Sequence, residues 1–115
     1  MTRRCRAVED AIISTTSPRL FSAEALAAYE RVERKTKIAR YGCDCYAYCM
    51  LAAGHIDIVI ESDLKPHDIV ALIPIIEGAG GIVTTWDGGL AAGGGSIAAV
   101  GDRRLHEAVI ELLNA

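Results

Sequence analysis

Apolar residues fall along this chain in short blocks separated by turn-forming residues, and the spacing inside each block predicts its element. Between Arg6 and Ser14 the apolar content gathers into Ala11-Ile12-Ile13. Thr15-Thr16-Ser17-Pro18 then ends this short strand with hydroxyls and a ring that lacks an N–H. Ser22 is placed to cap the next element, because its hydroxyl accepts from backbone N–H groups that have no partner within a helix. Glu24 in the first turn and the run Ala25-Leu26-Ala27-Ala28 extend that helix to about Arg34. Its Arg31, Arg34 and Lys35 read as a solvated outer face that suits the negative helix C-terminus. A strand over Ile38 to Tyr41 ends at Gly42, and Asp44 to Ala53 continues without Pro or Gly until Gly54, which predicts a buried helix.

Further on, Ile56, Ile58 and Ile60 alternate with Asp57, Val59 and Glu61, a period of two that predicts a strand with Glu61 at its carboxyl end. The loop Ser62 to Pro66 leads to Asp68 and a second apolar helix, Ile69 to Glu77, which Pro74 should bend. Ile82 to Trp86 is β-branched and aromatic, Asp87-Gly88-Gly89 is a turn that needs positive φ, and Ile97 to Val100 is the next strand. Asp102 then caps a last amphipathic helix through Leu105, Val109, Leu112 and Leu113. Strands and helices alternate throughout, which predicts an α/β fold: a layered αβα sandwich on a mainly parallel or mixed sheet, with a local hairpin at the Trp86 turn as the antiparallel alternative.

Composition narrows this to a single domain over residues 1–115. With 115 residues, 51% of them hydrophobic and 23% charged, the chain can bury roughly two-thirds of its unfolded surface. The four cysteines are therefore not needed as staples, and a reducing cytoplasm is the expected compartment. Charge is unevenly placed. Residues 1–40 carry nine Lys/Arg against five Asp/Glu, and residues 41–115 carry three against ten. A nucleic-acid binder would not concentrate carboxylates over two-thirds of its length, so no nucleic-acid partner is expected and the later part suits a cation, either a metal or an ammonium-bearing ligand. Asp57, Glu61, Asp63 and Asp68 interrupt the apolar middle, so no membrane span of roughly 20 residues is expected.

The candidate chemistry gathers around Asp44, Glu61, Asp63 and Asp68, at a strand end, in a loop and at two helix starts. Hard cations such as Mg²⁺ take oxygen ligands from one or two carboxylates plus substrate phosphate, so a metal or ammonium site is one reading. Spacing alone favours the other, in which Asp44 and Asp68 are helix caps and Asp63 is solvated. Cys43, Cys45 and Cys49 with His55 suggest a zinc site, but C-x-C-x₃-C straddles a loop–helix boundary and lacks a second half. Buried thiols acting as small hydrophobes fit better. The glycine clusters at 78–81 and 93–95 match no phosphate-loop pattern and read as turns. His67 reads as a partly exposed packing residue, His106 as outer-face, and Ser14 and Ser17 have no His/Asp partner pattern.

Two stretches carry a resemblance. Glu61-Ser62-Asp63-Leu64-Lys65-Pro66-His67-Asp68-Ile69-Val70-Ala71, followed by Glu77-Gly78-Ala79-Gly80-Gly81, resembles the carboxyl-terminal signature of the inositol monophosphatase superfamily. That signature runs from an acidic residue through Trp-Asp or Tyr-Asp to Glu-x-Ala-Gly-Gly. Upstream, Tyr41-Gly42-Cys43-Asp44-Cys45-Tyr46-Ala47-Tyr48 is similar to the helix start of the histidinol-phosphate phosphatase branch. The resemblance covers essentially the whole chain and implies the carboxyl-terminal half of that fold.

By this resemblance Asp68 is a Mg²⁺ ligand, while Gly42, Cys43, Asp44 and Glu61 form the substrate-binding set that holds the leaving group. The leaving group of histidinol phosphate carries an ammonium, which suits paired carboxylates. Arg40 is placed to steer the small phosphorylated substrate or to pair with Asp44. His67 stands where the family has an aromatic. The superfamily's Gly-Glu-Glu and Asp-Pro-x-Asp-Gly-Thr segments, which bring the other metal ligands, do not occur in this sequence. Such enzymes use a metal-activated water and the metals' charge to stabilise phosphoryl transfer. One carboxylate cannot hold that assembly, so the chain is expected to turn over little alone and to pair with an amino-terminal half or a second copy as a homodimer. A non-catalytic binding or assembly module of the same fold and an inositol-monophosphate phosphatase fragment are the alternatives.

Overall fold

The block Ile56 to Glu61 becomes the middle of the sheet. In the computed structural model, which describes residues 1–42 and 44–115, the strands are β1 (Ile12–Thr15), β2 (Ile38–Tyr41), β3 (Ile58–Leu64), β4 (Ile82–Thr85) and β5 (Gly95–Val100). Among the described residues they form one mixed sheet in the order β2-β1-β3-β5-β4. β2, β1 and β3 are parallel, with Ile12 beside Ile38 and Ile13 beside Ile58. β5 runs antiparallel to both β3 and β4, so the Trp86 turn opens an antiparallel connection.

Helices cover both faces: α1 (Ala23–Glu33), α2 (Tyr46–Ala52), α3 (Pro66–Ile69), α4 (Ile73–Gly78) and α5 (His106–Leu113). Under α1 and α5, Tyr29, Val32, Val109 and Leu113 pack on Ile13, Ile58, Ile60 and Val100. Under α2 to α4, Tyr48, Leu51, Ile69 and Ile76 pack on Val59, Val83, Ile97 and Ala99. Ile58 and Ile60 thus serve one core while Val59, between them, serves the other. Each fully buried aliphatic side chain contributes about 1.5–3 kcal/mol.

The α/β expectation holds, with local corrections. Ser22 caps α1, its Oγ accepting from Ala25 N at 3.2 Å. Arg31 does not simply solvate an outer face: Nε and Nη2 donate to the carbonyls of Leu112 (2.6 Å) and Leu113 (2.7 Å), tying α1 to the end of α5. The single helix expected over Ile69 to Glu77 is two. Pro74 sits in the first turn of α4. Inside one continuous helix its ring would meet the carbonyl of Val70, so the break falls just before it. β3 runs on to Leu64 through a register shift after Glu61, with Asp63 at φ 60, so the expected loop is partly strand. Beside this bulge Gly94 has φ 75, and a Cβ there would lie 2.9 Å from the carbonyl carbon of Lys65. His106 is half-buried rather than outward, with Nε2 2.8 Å from Thr84 Oγ1.

Candidate active site

The topology sets the location of the site. After β1 the chain crosses through α1 on one face to β2, then returns through α2 on the opposite face to β3. The carboxyl ends of β1 and β3 therefore lie side by side with their connections leaving in opposite directions. Such switch points open a crevice at the strand ends where ligands bind in α/β proteins. A cavity of about 460 Å³ occupies this place, lined by Thr16 beyond β1, Glu61 and Leu64 of β3, Asp44, Cys45 and Tyr48 around the start of α2, and His67 and Asp68 of α3. A second cavity of about 400 Å³ shares Thr16, Asp44, Glu61 and Leu64 and continues toward Ser17, Phe21 and Asp63.

Glu61 forms the floor and is 7% exposed. Its Oε1 accepts from Thr16 Oγ1 at 2.7 Å, and its Oε2 accepts from Thr15 Oγ1 at 3.1 Å and Thr16 N at 3.4 Å. Burial pushes its carboxyl above the usual carboxylate range, the Thr16 and Thr15 donors pull it back, and the nearby Asp44 charge pushes it up. Asp44 is exposed and has φ 49. It does not cap α2, whose cap position is Cys45 with no side-chain bond. Gly42 (φ 90) and Asp44 both have positive φ, and Asp44 lines the cavity.

Asp68 stands in the first turn of α3. Its Oδ2 accepts from Lys65 N at 2.8 Å, so Asp68 does not start the helix as expected: Lys65 is the cap of α3 and Asp68, inside it, reaches back to the cap amide. Its Oδ1 lies 3.4 Å from Nε2 of the largely exposed His67. The structure thus brings Asp44, Glu61 and Asp68 around one cavity. Asp63 faces the adjoining one. Arg40 is exposed at edge strand β2, lines neither cavity and forms no ion pair with Asp44 among the described residues. Cys43 lies outside the described residues.

Two further groups were not evident from the sequence as site residues. Thr15 and Thr16 read there only as a stop to β1; the usable signal was a hydroxyl pair at the carboxyl end of a parallel strand. Tyr48 read as an ordinary residue of a buried helix. It is 2% exposed, its hydroxyl has no hydrogen-bond partner among the described residues, and burial followed by the charges of Glu61 and Asp68 pushes the phenol well up. The thiols also differ from expectation: Cys5 is buried, but Cys45 and Cys49 are exposed, because α2 turns Ala47, Tyr48 and Leu51 to the core instead. Among the described residues no three His, Cys, Asp or Glu side chains stand together as a metal site. Among the described residues no helix is long and apolar enough to cross a membrane.

A mixed sheet between two helical layers, with carboxylates gathered at the switch point, is the architecture of a known group of phosphatases. An inositol monophosphatase from Zymomonas mobilis superposes with a TM-score of 0.95 at 38% identity, over 99% of this chain and 46% of that one. The chain belongs to the inositol monophosphatase family, whose family model matches residues 3–115. It is 48% identical to the bifunctional phosphatase IMPL2, chloroplastic, of Arabidopsis thaliana, over 97% of this chain and 35% of that protein. It is 37% identical to a histidinol-phosphatase of Mycobacterium tuberculosis, over 69% of this chain and 30% of that protein. The chain thus spans about a third of the length of these curated relatives.

Proposed function

We propose that this chain is the carboxyl-terminal half, a single domain, of a Mg²⁺-dependent phosphomonoesterase that converts histidinol phosphate to histidinol and phosphate, a step of histidine biosynthesis. The observation that carries the reading is the pairing of Asp44 with the buried Glu61 at one cavity. Two carboxylates with no protein cation between them favour a leaving group that brings its own positive charge, as the ammonium of histidinol does, over a neutral polyol. The likeness to the histidinol-phosphatase supports the same choice.

Asp68 fits the metal role as one contributor. Of the carboxylate's roughly four acceptor sites, Lys65 N–H takes one on Oδ2 and His67 Nε2 stands 3.4 Å from Oδ1. This leaves acceptor capacity for a cation, and Mg²⁺ keeps water and phosphate oxygens beside its few protein carboxylates. When bound, the metal supplies charge for the phosphoryl group and an activated water. This chain's residues do the rest: Asp44 and Glu61 hold the leaving group, and Gly42 and Cys43 belong to the same substrate-binding set. The remaining metal ligands come from an amino-terminal half that packs on this one. Exposed Ile38 and Tyr41 on the edge strand β2 also favour self-association in its absence. The protein acts in the cytoplasm.

The test measures phosphate release with Mg²⁺ from histidinol phosphate and from inositol 1-phosphate. It uses the 115-residue chain alone and the chain fused behind the amino-terminal part of the Arabidopsis relative. The chain alone should be inert and the fusion should prefer histidinol phosphate. Robust turnover by the chain alone would overturn the half-enzyme reading, and a preference for the inositol ester would overturn the substrate. Sedimentation showing a clean monomer at high concentration would overturn self-association.

A further inference from the structure

We propose that Thr15 and Thr16 set the leaving-group preference of this pocket, by occupying three of the four acceptor positions of Glu61 and leaving one, on Oε1, for a cationic donor. A carboxylate offers about four lone-pair sites. Thr15 Oγ1 and Thr16 N fill both on Oε2, and Thr16 Oγ1 fills one on Oε1. The carboxylate plane is thereby fixed from β1, the strand on the other side of the switch point, and the remaining lone pair is the one a ligand can use. The specificity half of this inference rests on the ammonium reading given above; the positioning half does not.

The same contacts decide the charge of the group. Glu61 is buried and forms no ion pair among the described residues, so burial works against its ionised form and the two threonines work for it. Around the pocket the other charged or titratable groups among the described residues are Asp44 and Cys45 before α2, Tyr48 of α2, and His67 and Asp68 of α3. Asp44 adds negative charge beside Glu61 and Tyr48 is held as the neutral phenol. Hydroxyl donors from β1 therefore favour the ionised form of Glu61 and aim its free lone pair, which suits an ammonium better than a polyol. Thr15 and Thr16 act through Glu61 and are positioning residues.

The experiment follows the Glu61 side-chain carboxyl by ¹³C NMR across pH in the 115-residue chain, its T16V variant and its T16S variant. Binding of histidinol and of myo-inositol is measured by chemical-shift titration at pH 7. T16V should raise the Glu61 midpoint and weaken histidinol binding about tenfold, as expected for loss of a hydrogen bond to a charged group, with myo-inositol unaffected. T16S, which keeps the hydroxyl, should restore both values, a rescue that a purely packing role of the methyl group would not produce. An unchanged Glu61 midpoint in T16V would overturn the assignment, as would a histidinol-to-inositol ratio equal to that of the wild type. Equal binding of both ligands by the wild-type chain would instead overturn the ammonium reading, while the midpoints still decide the positioning role.

Discussion

Asp57 and Glu61 lie four residues apart on one stretch of chain, both out of solvent, and the protein treats them in opposite ways. Asp57, entering β3, is 0% exposed. It is paired with Arg3, whose Nε donates to Oδ1 at 3.0 Å and whose Nη2 donates to Oδ2, and Ile12 N donates to Oδ2 at 2.8 Å. Nearby, Asp102 accepts from Arg104 and from Cys5 N. Glu61, at the far end of the strand, receives hydroxyls and one amide but no cation, with the unpartnered Tyr48 hydroxyl close by. The first end has its charges compensated within the chain and serves the fold. The second leaves charge and polarity uncompensated, which costs stability and is where a ligand can supply the missing partner.

That contrast is tested most severely by R3A. Asp57 is fully buried while the Arg3 side chain is 44% exposed, so R3A leaves a buried carboxylate with the Ile12 amide as its remaining donor. It should destabilise the chain by about 2 kcal/mol after solvent screening, read as a lower midpoint in urea. A loss below about 1 kcal/mol would mean that Asp57 is not held by Arg3.

E61Q should have the opposite sign. Because burial raises the Glu61 pKa above its unfolded value, its relative stabilising effect is present at low pH and lost as pH rises through the folded value. E61Q should therefore be more stable than the wild type by about 1 kcal/mol at pH 7, with the gap closing toward pH 4 in thermal melts. A destabilised E61Q at neutral pH would place Glu61 with Asp57 as a structural carboxylate.

Y48F removes a buried hydroxyl that has no partner among the described residues and should leave stability unchanged or raise it by up to about 1 kcal/mol. A clear loss would show that the hydroxyl is bonded in solution.

D102N has the sign opposite to that of E61Q. Arg104 holds the Asp102 carboxyl well below the usual range, so its stabilisation is present above the unfolded pKa and fades as pH falls through the folded one. The variant should be weaker than the wild type at pH 7, by a margin that shrinks in acid. Both aspartate and glutamate variants thus converge on the wild type at low pH, from opposite sides.

Much of this was legible along the chain. Ser22 as a cap, β2 at Ile38 to Tyr41 and the α/β order needed only local patterns, whereas Asp44, Glu61 and Asp68 were singled out as site residues by the motif resemblance, spacing alone having favoured caps for Asp44 and Asp68. The errors share a cause. Pro74 was visible, but whether it bends or divides a helix depended on where Val70 falls. Arg31 and His106 looked like surface because their partners, the end of α5 and Thr84, are distant in sequence. Thr15 and Thr16 looked like punctuation for the same reason: their bonds run 45 or 46 residues ahead to Glu61.

Sequence alone determined the elements, the class of fold and the family, because hydrophobic period, capping chemistry and turn residues act over a few positions and the two motif stretches are contiguous. It could not say which buried carboxylate is compensated. Asp57 and Glu61 sit in the same alternating run and look equivalent there. Only the crossing of the chain, which brings Arg3 to one end of β3 and the β1 hydroxyls to the other, made one a part of the framework and left the other open to a ligand. The reason is physical: the free energy of a buried charge depends on what lies within a few ångströms, and tertiary structure alone decides that.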